Sequence, residues 1–367
     1  MNIERVEGVE WLRQYSAEWD DLWLRSDVCL PSSRAEPLAW WHEQFSSKWS
    51  FRAVLVRDAG KLVAAFPWET RGRWPRTGRL PFNDWFPGGL ALVDPAYATR
   101  EVAELLLDGL AAERCHVSVF RNARWESPLW RRLVEAVADR RWPLHQHSLY
   151  ETGTVDLTRT WEQLEAGFTA NHRHKMRKAW RRSEREGGVT LEVKDRFGPG
   201  ELDRLLRVGF ELERSGWKGQ AGTAVLQQPG FFEFILRESE YLARDGQVRL
   251  AFLRRGDQVI AFEYTWVAKG VVSTPKIAYE EAFSRLSPGQ QLLHWTLRDL
   301  AQAGVYRSVD YVGPMTESTR RCCTGSYTTG TIVLGQVGGV GQAGVWAYRM
   351  RRAWKNRSRV VTQGPTA

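Results

Sequence analysis

Cysteine is scarce, and its placement excludes more than it suggests. The four residues, Cys29, Cys115, Cys322 and Cys323, show no metal-ligand spacing, and the adjacent pair is not a Cys-x-x-Cys motif. A zinc module and a dithiol redox centre are therefore excluded, and a reducing compartment is expected. No Ser-His-Asp order, Cys-His pair or His-Glu-x-x-His helix occurs, which removes support for a covalent or metal mechanism. Residues 1–10 carry acids and lack an apolar core, so no signal peptide is expected. The run 322–348 is free of charge but studded with Gly, Thr, Ser and Gln, a poor lipid-facing surface, and reads as strand, turn and helix. These absences point to a cytoplasmic protein.

What is present is a long chain with concentrated charge. Its 367 residues exceed one ordinary core and suggest two domains, at about 100–200 residues each. A hydrophobic share of 43% and a charged share of 26% are those of a folded globular chain. Most of the 19 tryptophans belong to core or rim packing, but an indole can also floor a ligand groove, since it offers a flat apolar face and one donor. The net charge is +9. Arg173, Lys175, Arg177, Lys178, Arg181, Arg182 and Arg185 face only Glu184 and Glu186, seven cations against two acids and a local +5. Six more cations, Arg349, Arg351, Arg352, Lys355, Arg357 and Arg359, crowd the tail without an acid. These two segments exceed the total, so the remainder is close to neutral. An anionic partner is implied: phosphates of a cofactor, a nucleotide-linked substrate, RNA or a membrane surface.

In the first half, Val9, Leu12, Trp19, Leu22 and Trp23 recur at helical spacing and predict one amphipathic helix within residues 8–26, followed by a second over 38–45. Strands at 51–56 and 62–68, joined by Ala59-Gly60, predict an antiparallel hairpin. The loop 71–89 carries Trp74, Phe82, Trp85 and Phe86, either a binding surface or loop ends tucked into the core. Helix 99–113, strand 116–120, helix 128–140 and a closing strand 144–149 complete an α/β domain with a mixed sheet, residues 1–157. His145 and His147 share a strand face with no third ligand nearby, and read as a surface or interface pair.

The second domain, 158–340, opens with 161–168 and then the basic helix. Met176, Ala179, Trp180 and Ser183 fall on one arc of that helix at about 100° per residue, with cations over most of the rest. Taken alone, such a charge run is a solvated face. Strand 189–193, helix 202–214, a loop through Ser215-Gly216-Trp217-Lys218-Gly219 and helix 231–244 follow. A meander of strands 248–254, 259–267 and 271–277 feeds Ser287-Pro288-Gly289, which opens helix 290–303, and strands 306–312 and 331–337 close the domain. A Pro-Gly turn exposes N–H groups at the positive end of the helix dipole, a site for a pyrophosphate or other anion. Taken alone, Ser-Pro-Gly reads as an ordinary helix start.

The order meander, anion loop, helix, strand resembles the core of the GNAT acyltransferase fold. The wording is closer still to the CelD-like and Fem-type (FemAB-like) branch, in which two GNAT-like domains are fused. The stretch from Arg173 to Ala179, followed by Gly188-Val189, resembles that branch's basic helix. Arg214-Ser215-Gly216-Trp217-Lys218-Gly219 resembles its Gly-Trp-Lys loop. Lys276 to Glu281, then Leu286-Ser287-Pro288-Gly289-Gln290-Gln291, resembles its strand-to-helix anion loop, and Asp310-Tyr311-Val312-Gly313 its strand-ending Asp. The similarity covers residues 170–337 well and the first half weakly. The resemblance implies an α/β (α+β) fold of two tandem GNAT-like domains, each a mixed, mostly antiparallel sheet flanked by helices. Two departures stand out: Ser-Pro-Gly replaces the orthodox Gln/Arg-x-x-Gly-x-Gly/Ala phosphate loop, and Thr319-Arg320 stands where the family has Tyr-Lys.

Gly339-Val340-Gly341-Gln342-Ala343-Gly344 satisfies the dinucleotide pattern Gly-x-Gly-x-x-Gly, but no returning strand or acidic residue follows it, and it is read as a flexible turn. The tail, 341–367, is expected to form a basic helix with Trp346, Met350, Ala353 and Trp354 on one face, then disorder. Docking of this helix on the body is the default, with anionic membrane or RNA as alternatives.

The expected chemistry is N-acyl transfer by direct attack of an amine on an activated acyl carbon, helped by proximity, a base and an oxyanion donor. The acceptor, an amine-bearing small molecule or peptide-like amine, is expected in the cleft between the domains. No cofactor is expected to be bound permanently; acyl-CoA is the co-substrate, with aminoacyl-tRNA as the alternative under a Fem-type reading, and a non-catalytic GNAT-like binding module as a third class. Following the resemblance, Ser287, Gly289 and Gln290 would bind donor phosphate, while Arg173 and Arg177 would grip acceptor or donor phosphates. Asp310 and Tyr279 would act near the reacting centre as base or orienter and as proton donor, and Trp217 and Lys218 would line the pocket mouth. Asp310 also reads as a turn-capping residue.

Overall fold

The computed structural model describes residues 1–83, 88–336 and 338–362, with side chains described as far as Trp354. Trp85 and Phe86 of the aromatic loop, the predicted strand end at Val337, and the side chains of Lys355, Arg357 and Arg359 lie outside the described residues. By packing, the chain forms two units. One holds Met1–Val28, Ser32–Leu149 and the return from Thr328; the other holds Cys29–Pro31 and Tyr150–Tyr327.

The first unit is assembled from β1 (Asn2–Glu7), α1 (Val9–Gln14), α2 (Ser16–Arg25), α3 (Ala35–Phe45), β2 (Ser50–Asp58), β3 (Lys61–Arg71), β4 (Thr77–Arg79), β5 (Leu92–Val93), α4 (Arg100–Ala112), β6 (Val117–Arg124), α5 (Pro128–Asp139) and the start of β7 (Leu144–Asp156). The predicted β2–β3 hairpin is present. Ala59 and Gly60 both take positive φ, 47° and 82°, the geometry whose twist matches the flanking strands. The single helix expected within 8–26 is two, α1 and α2, parted at Tyr15 (φ −111°, ψ 26°). Tyr15 stacks on Trp11 at 4.9 Å. Strand β1 carries no alternating apolar signal, because only Val6 is buried. It holds instead through its backbone ladder to β2 and through cross-strand pairs such as Arg52–Glu7, 2.8 Å, and Arg57–Glu4, 3.0 Å. The core beneath is aromatic: Phe120 lies 5.3 Å from Phe66, 5.4 Å from Trp68 and 5.8 Å from Trp130.

The second unit continues with α6 (Trp161–Gly167), α7 (Ala170–Arg185), β8 (Thr190–Lys194), α8 (Glu201–Ser215), α9 (Trp217–Gln220), α10 (Phe231–Ala243), β9 (Val248–Arg255), β10 (Gln258–Ala268), β11 (Val271–Tyr279), α11 (Pro288–Ala303), β12 (Ser308–Asp310) and α12 (Glu317–Arg320). Strand β13 (Gly325–Gly335) and helix α13 (Gly338–Thr362) follow. The strand order is β7-β12-β11-β10-β9-β8, antiparallel except for the parallel β11–β12 pair. Alternation along β10 divides the helices between two faces. Phe262 and Tyr264 meet Phe210 of α8, whereas Glu263, between them, lies beside Thr296 of α11 and accepts from Thr274 Oγ1 of β11 at 3.2 Å.

Three further predicted segments differ. The loop after Ser215 contains the short helix α9. Strand β12 is three residues rather than 306–312: Tyr311 N still reaches Gly153 O in the β7 register, and Val312 then turns the chain away with φ 57°. The glycine run 339–344 is not a turn: it forms the first turns of α13. Glycine is needed there for close approach, since a Cβ on Gly344 would stand 2.2 Å from Val117 Cγ2 of β6.

Candidate active site

The parallel β11–β12 pairing covers only three positions, ending at Ser273 opposite Asp310. Strand β11 continues for six residues to Tyr279, and no described strand pairs with it on that side. Pro275, which has no N–H to donate, follows closely on the last paired residue, as expected where a ladder stops. The result is an open backbone edge along residues 274–279.

That edge leads to the N-terminus of α11. Ser287 reaches it in the left-handed conformation (φ 53°) and makes no side-chain cap. Pro288 has no N–H, and the Gly289 and Gln290 N–H groups precede the first helical bond, from Gln291 N to Ser287 O. Uncapped donors at the positive end of a 16-residue helix suit an anion. The side-chain Oε1 of Gln290 is buried without a partner among the described residues. Gln291 fixes the loop: its Nε2 donates to Ser183 Oγ and to Leu286 O, both 2.7 Å, tying α7 to the start of α11.

Tyr279 joins this terminus to a second group. Its ring packs on Gly289, where a Cβ would lie 3.1 Å from Cδ1. On its other side a small cleft is lined by Glu213, Trp217, Lys218 and Glu281. Trp217 is 59% exposed, and its backbone N–H donates to Glu281 Oε1 at 3.0 Å. Lys218 Nζ donates to Glu213 Oε1 at 2.7 Å, and Glu213 Oε2 accepts from Val225 N at 2.9 Å.

Sequence reasoning passed over Glu213 and gave Lys276 no role. Both are buried, and Lys276 faces the α8 side from the middle of β11. Burial pulls its ammonium down to about 8; nearby Glu213 opposes that fall and Lys218 adds to it. A lysine at a buried position of an alternating strand was the available signal.

Asp310 ends β12. Its carboxylate accepts from Val312 N at 2.7 Å and from Tyr327 OH at 3.0 and 3.1 Å. It caps its turn, as the simpler reading had it, and holds a phenol as well. Ser273 stands opposite it and Tyr279 lies six residues further along β11, about 20 Å at strand rise. Asp310 and Tyr279 therefore do not share one reacting centre.

Arg173 and Arg177 belong to a different place. A cavity of ≈ 670 Å³ lies among α6, α7 and α11, lined by Arg173, Arg177, Arg181 and Arg298 with Phe168, His172, Trp180, His294 and Trp295. Trp180 and Trp295 are 4.8 Å apart, and the Arg298 guanidinium lies 5.4 Å over Trp295. Burial, His172 and Arg298 lower His294 to about 4, so its imidazole is neutral; its Nδ1 is buried with no partner among the described residues. Arg173 Nη1 donates to the carbonyls of Glu165 (3.3 Å), Ala166 (3.0 Å) and Phe168, closing the C-terminus of α6. Part of its donor set is thus committed to structure, while Arg177, Arg181 and Arg298 keep the cationic rim. The buried stripe of α7 is His172, Met176, Ala179 and Ser183, with Trp180 half-buried at its side.

Residues 170–318 match the family described as an acetyltransferase (GNAT) domain. The whole fold is similar to that of FemX, at 11% identity over 95% of this chain and 99% of that one, with a TM-score of 0.58. It is also similar to the C-terminal domain of a putative lysylphosphatidylglycerol synthetase from Agrobacterium fabrum, at 14% identity over 91% and 95% of the two chains and a TM-score of 0.54. The L-PGS of Bacillus licheniformis matches at 14% identity over 93% and 96%, with a TM-score of 0.52. No curated protein matches the chain in sequence. Residues 170–318 thus match a GNAT acetyltransferase domain, and the chain as a whole shares the fold of FemX.

Proposed function

We propose that the second unit transfers an acyl group from acyl-CoA to an amine-bearing acceptor. The observation that carries this reading is the open edge of β11 running from Asp310's level to the uncapped start of α11. Donor phosphates would sit on the Gly289 and Gln290 N–H groups beside Ser287 and Tyr279. The extended, amide-bearing arm of CoA would pair with backbone groups along residues 274–279, as peptides do on a free strand edge. Its length is comparable to the separation of Tyr279 from Asp310, so these two residues would serve opposite ends of one donor. Asp310 is then the base or orienter at the acyl end: the amine nitrogen bonds to the thioester carbon, the C–S bond breaks, and the amine proton leaves to the base. Glu213, Lys218 and Lys276 would flank the arm from the α8 side, with Trp217 at the mouth.

A second reading, aminoacyl transfer from charged tRNA, is favoured by one feature: the arginine-rimmed, tryptophan-floored cavity beside α7, whose mix of cations and stacking faces suits a single-stranded nucleic acid end. Reactions offering a set of amines with either acetyl-CoA or charged tRNA separate the two by product mass. Product formed only with tRNA, and abolished by ribonuclease, would remove the CoA reading.

A further inference from the structure

Among the described residues, helix α13 meets the first unit along one side. Val345 is buried, and Gly341 and Gly344 lie against His116 O and Val117. The Tyr348 ring is 5.9 Å from His147 and 6.2 Å from His145, and Arg352 donates to Ser148 O at 3.4 Å. At about 100° per residue these five positions span an arc of roughly 100°. Trp346, Met350 and Trp354 lie on the opposite side, within roughly 80° of arc, and are 63%, 50% and 72% exposed. The tail helix thus docks on the body, by its glycine-valine-tyrosine face, and the tryptophan face looks outward. Ala343, Ala347 and Ala353 fill the same outward side.

Charge decides what this face fits. Arg349 and Arg351 are exposed and border the stripe, one on each side, and among the described residues neither forms an ion pair. The sequence adds Lys355, Arg357 and Arg359, and no Asp or Glu follows Glu317. We propose that the outward face of α13 is a docking surface for an anionic membrane, with the helix lying in the plane of the interface. Tryptophans at both ends of an apolar stripe suit the headgroup boundary, where an indole places its apolar body inward and its N–H in the wet layer. Bordering arginines reach lipid phosphates from the same depth. A nucleic acid would want its cations where Trp346, Met350 and Trp354 stand. The described helices include none long and apolar enough to cross a bilayer, so the helix rests on the surface rather than spanning it.

The test uses the full chain in co-sedimentation with vesicles of phosphatidylcholine alone and of phosphatidylcholine with phosphatidylglycerol. Binding should be roughly tenfold tighter on the anionic vesicles and weaken with added salt. Trp346→Ser, Met350→Ser and Trp354→Ser combined should abolish it, and Arg349→Gln with Arg351→Gln should erase the lipid preference, both with unchanged far-ultraviolet circular dichroism. Equal binding to both vesicles, equal binding by the triple variant, or no vesicle binding alongside self-association that the triple variant loses would each overturn the proposal; the last would assign the face to a second copy of the chain.

Discussion

The ring of Tyr279 rests on Gly289 so closely that a Cβ there would stand 3.1 Å from Cδ1. A strand-ending phenol and a helix-opening glycine, ten residues apart in sequence, thereby form one wall beside the free N–H groups of α11. Any side chain at Gly289 must push into the ring or into the space proposed for the donor's phosphates. Gly289→Asp adds a negative charge at that spot as well. It should raise the KM for acyl-CoA by roughly tenfold or more, the scale of one lost charge-assisted contact, while the KM for the amine stays unchanged. Steady-state kinetics with each substrate varied in turn checks this.

Asp310 is expected to govern turnover rather than donor affinity. Asp310→Asn keeps the shape and the bond from Val312 N but removes the charge. kcat should fall by roughly 10²-fold, the usual scale for a positioned base, with little change in donor KM. Tyr327→Phe, which removes the phenol that holds the carboxylate, should give a smaller fall in the same parameter. A loss confined to KM in either variant would place Asp310 away from the acyl end.

Glu238 makes a separate, pH-dependent prediction about stability. It is fully buried on α10, both carboxylate oxygens lack partners among the described residues, and burial pushes it up from 4.5 to about 8. The folded protein therefore holds a proton that the unfolded chain releases between those values. This contribution is fully present below pH 4.5 and is lost as pH rises through about 8, at up to about 1.4 kcal/mol per pH unit. Urea midpoints measured across that window should fall for the wild type and stay much flatter for Glu238→Gln.

The cavity beside α7 separates the two donor readings. Arg177→Ala combined with Arg298→Ala removes two rim cations without touching the α11 terminus. Acyl-CoA turnover should stay within about twofold of wild type, because surface cations far from a reacting centre contribute little to it. A loss confined to charged tRNA as donor, measured as aminoacylated product, would mark the cavity as the nucleic-acid end.

Much of this architecture is legible in the sequence where local signals and tertiary outcome agree. The β9–β11 meander, the β2–β3 hairpin and the start of α11 carry alternation, a Gly turn or a Pro at the first helical position, and each is where the pattern puts it. The misses share a cause: they rest on contacts between distant segments. Strand β1 is held by its ladder and ion pairs rather than by an apolar face. Arg173 looks like a free cation until the end of α6 presents three carbonyls to it. The glycines of α13 read as a turn until β6 comes close enough to require them. Of the site, Ser287, Gly289 and Tyr279 come together, with Trp217 and Lys218 beside them. The distance from Tyr279 to Asp310 is set by the β11–β12 register, and Glu213 gains meaning only once α8 has been packed over Lys276.

The most direct measurement compares acetyl-CoA with acetyl-pantetheine, which keeps the thioester and the amide-bearing arm but lacks the phosphates. Thiol release and amide mass would be followed in the same reaction. One thiol should be released per amide formed with acetyl-CoA, and the KM should be at least roughly tenfold higher for acetyl-pantetheine, because the N–H groups of α11 lose their anion. Equal KM values for the two donors, or no thiol release from either, would contradict a phosphate site at Gly289 and Gln290 and the acyl-CoA reading built on it.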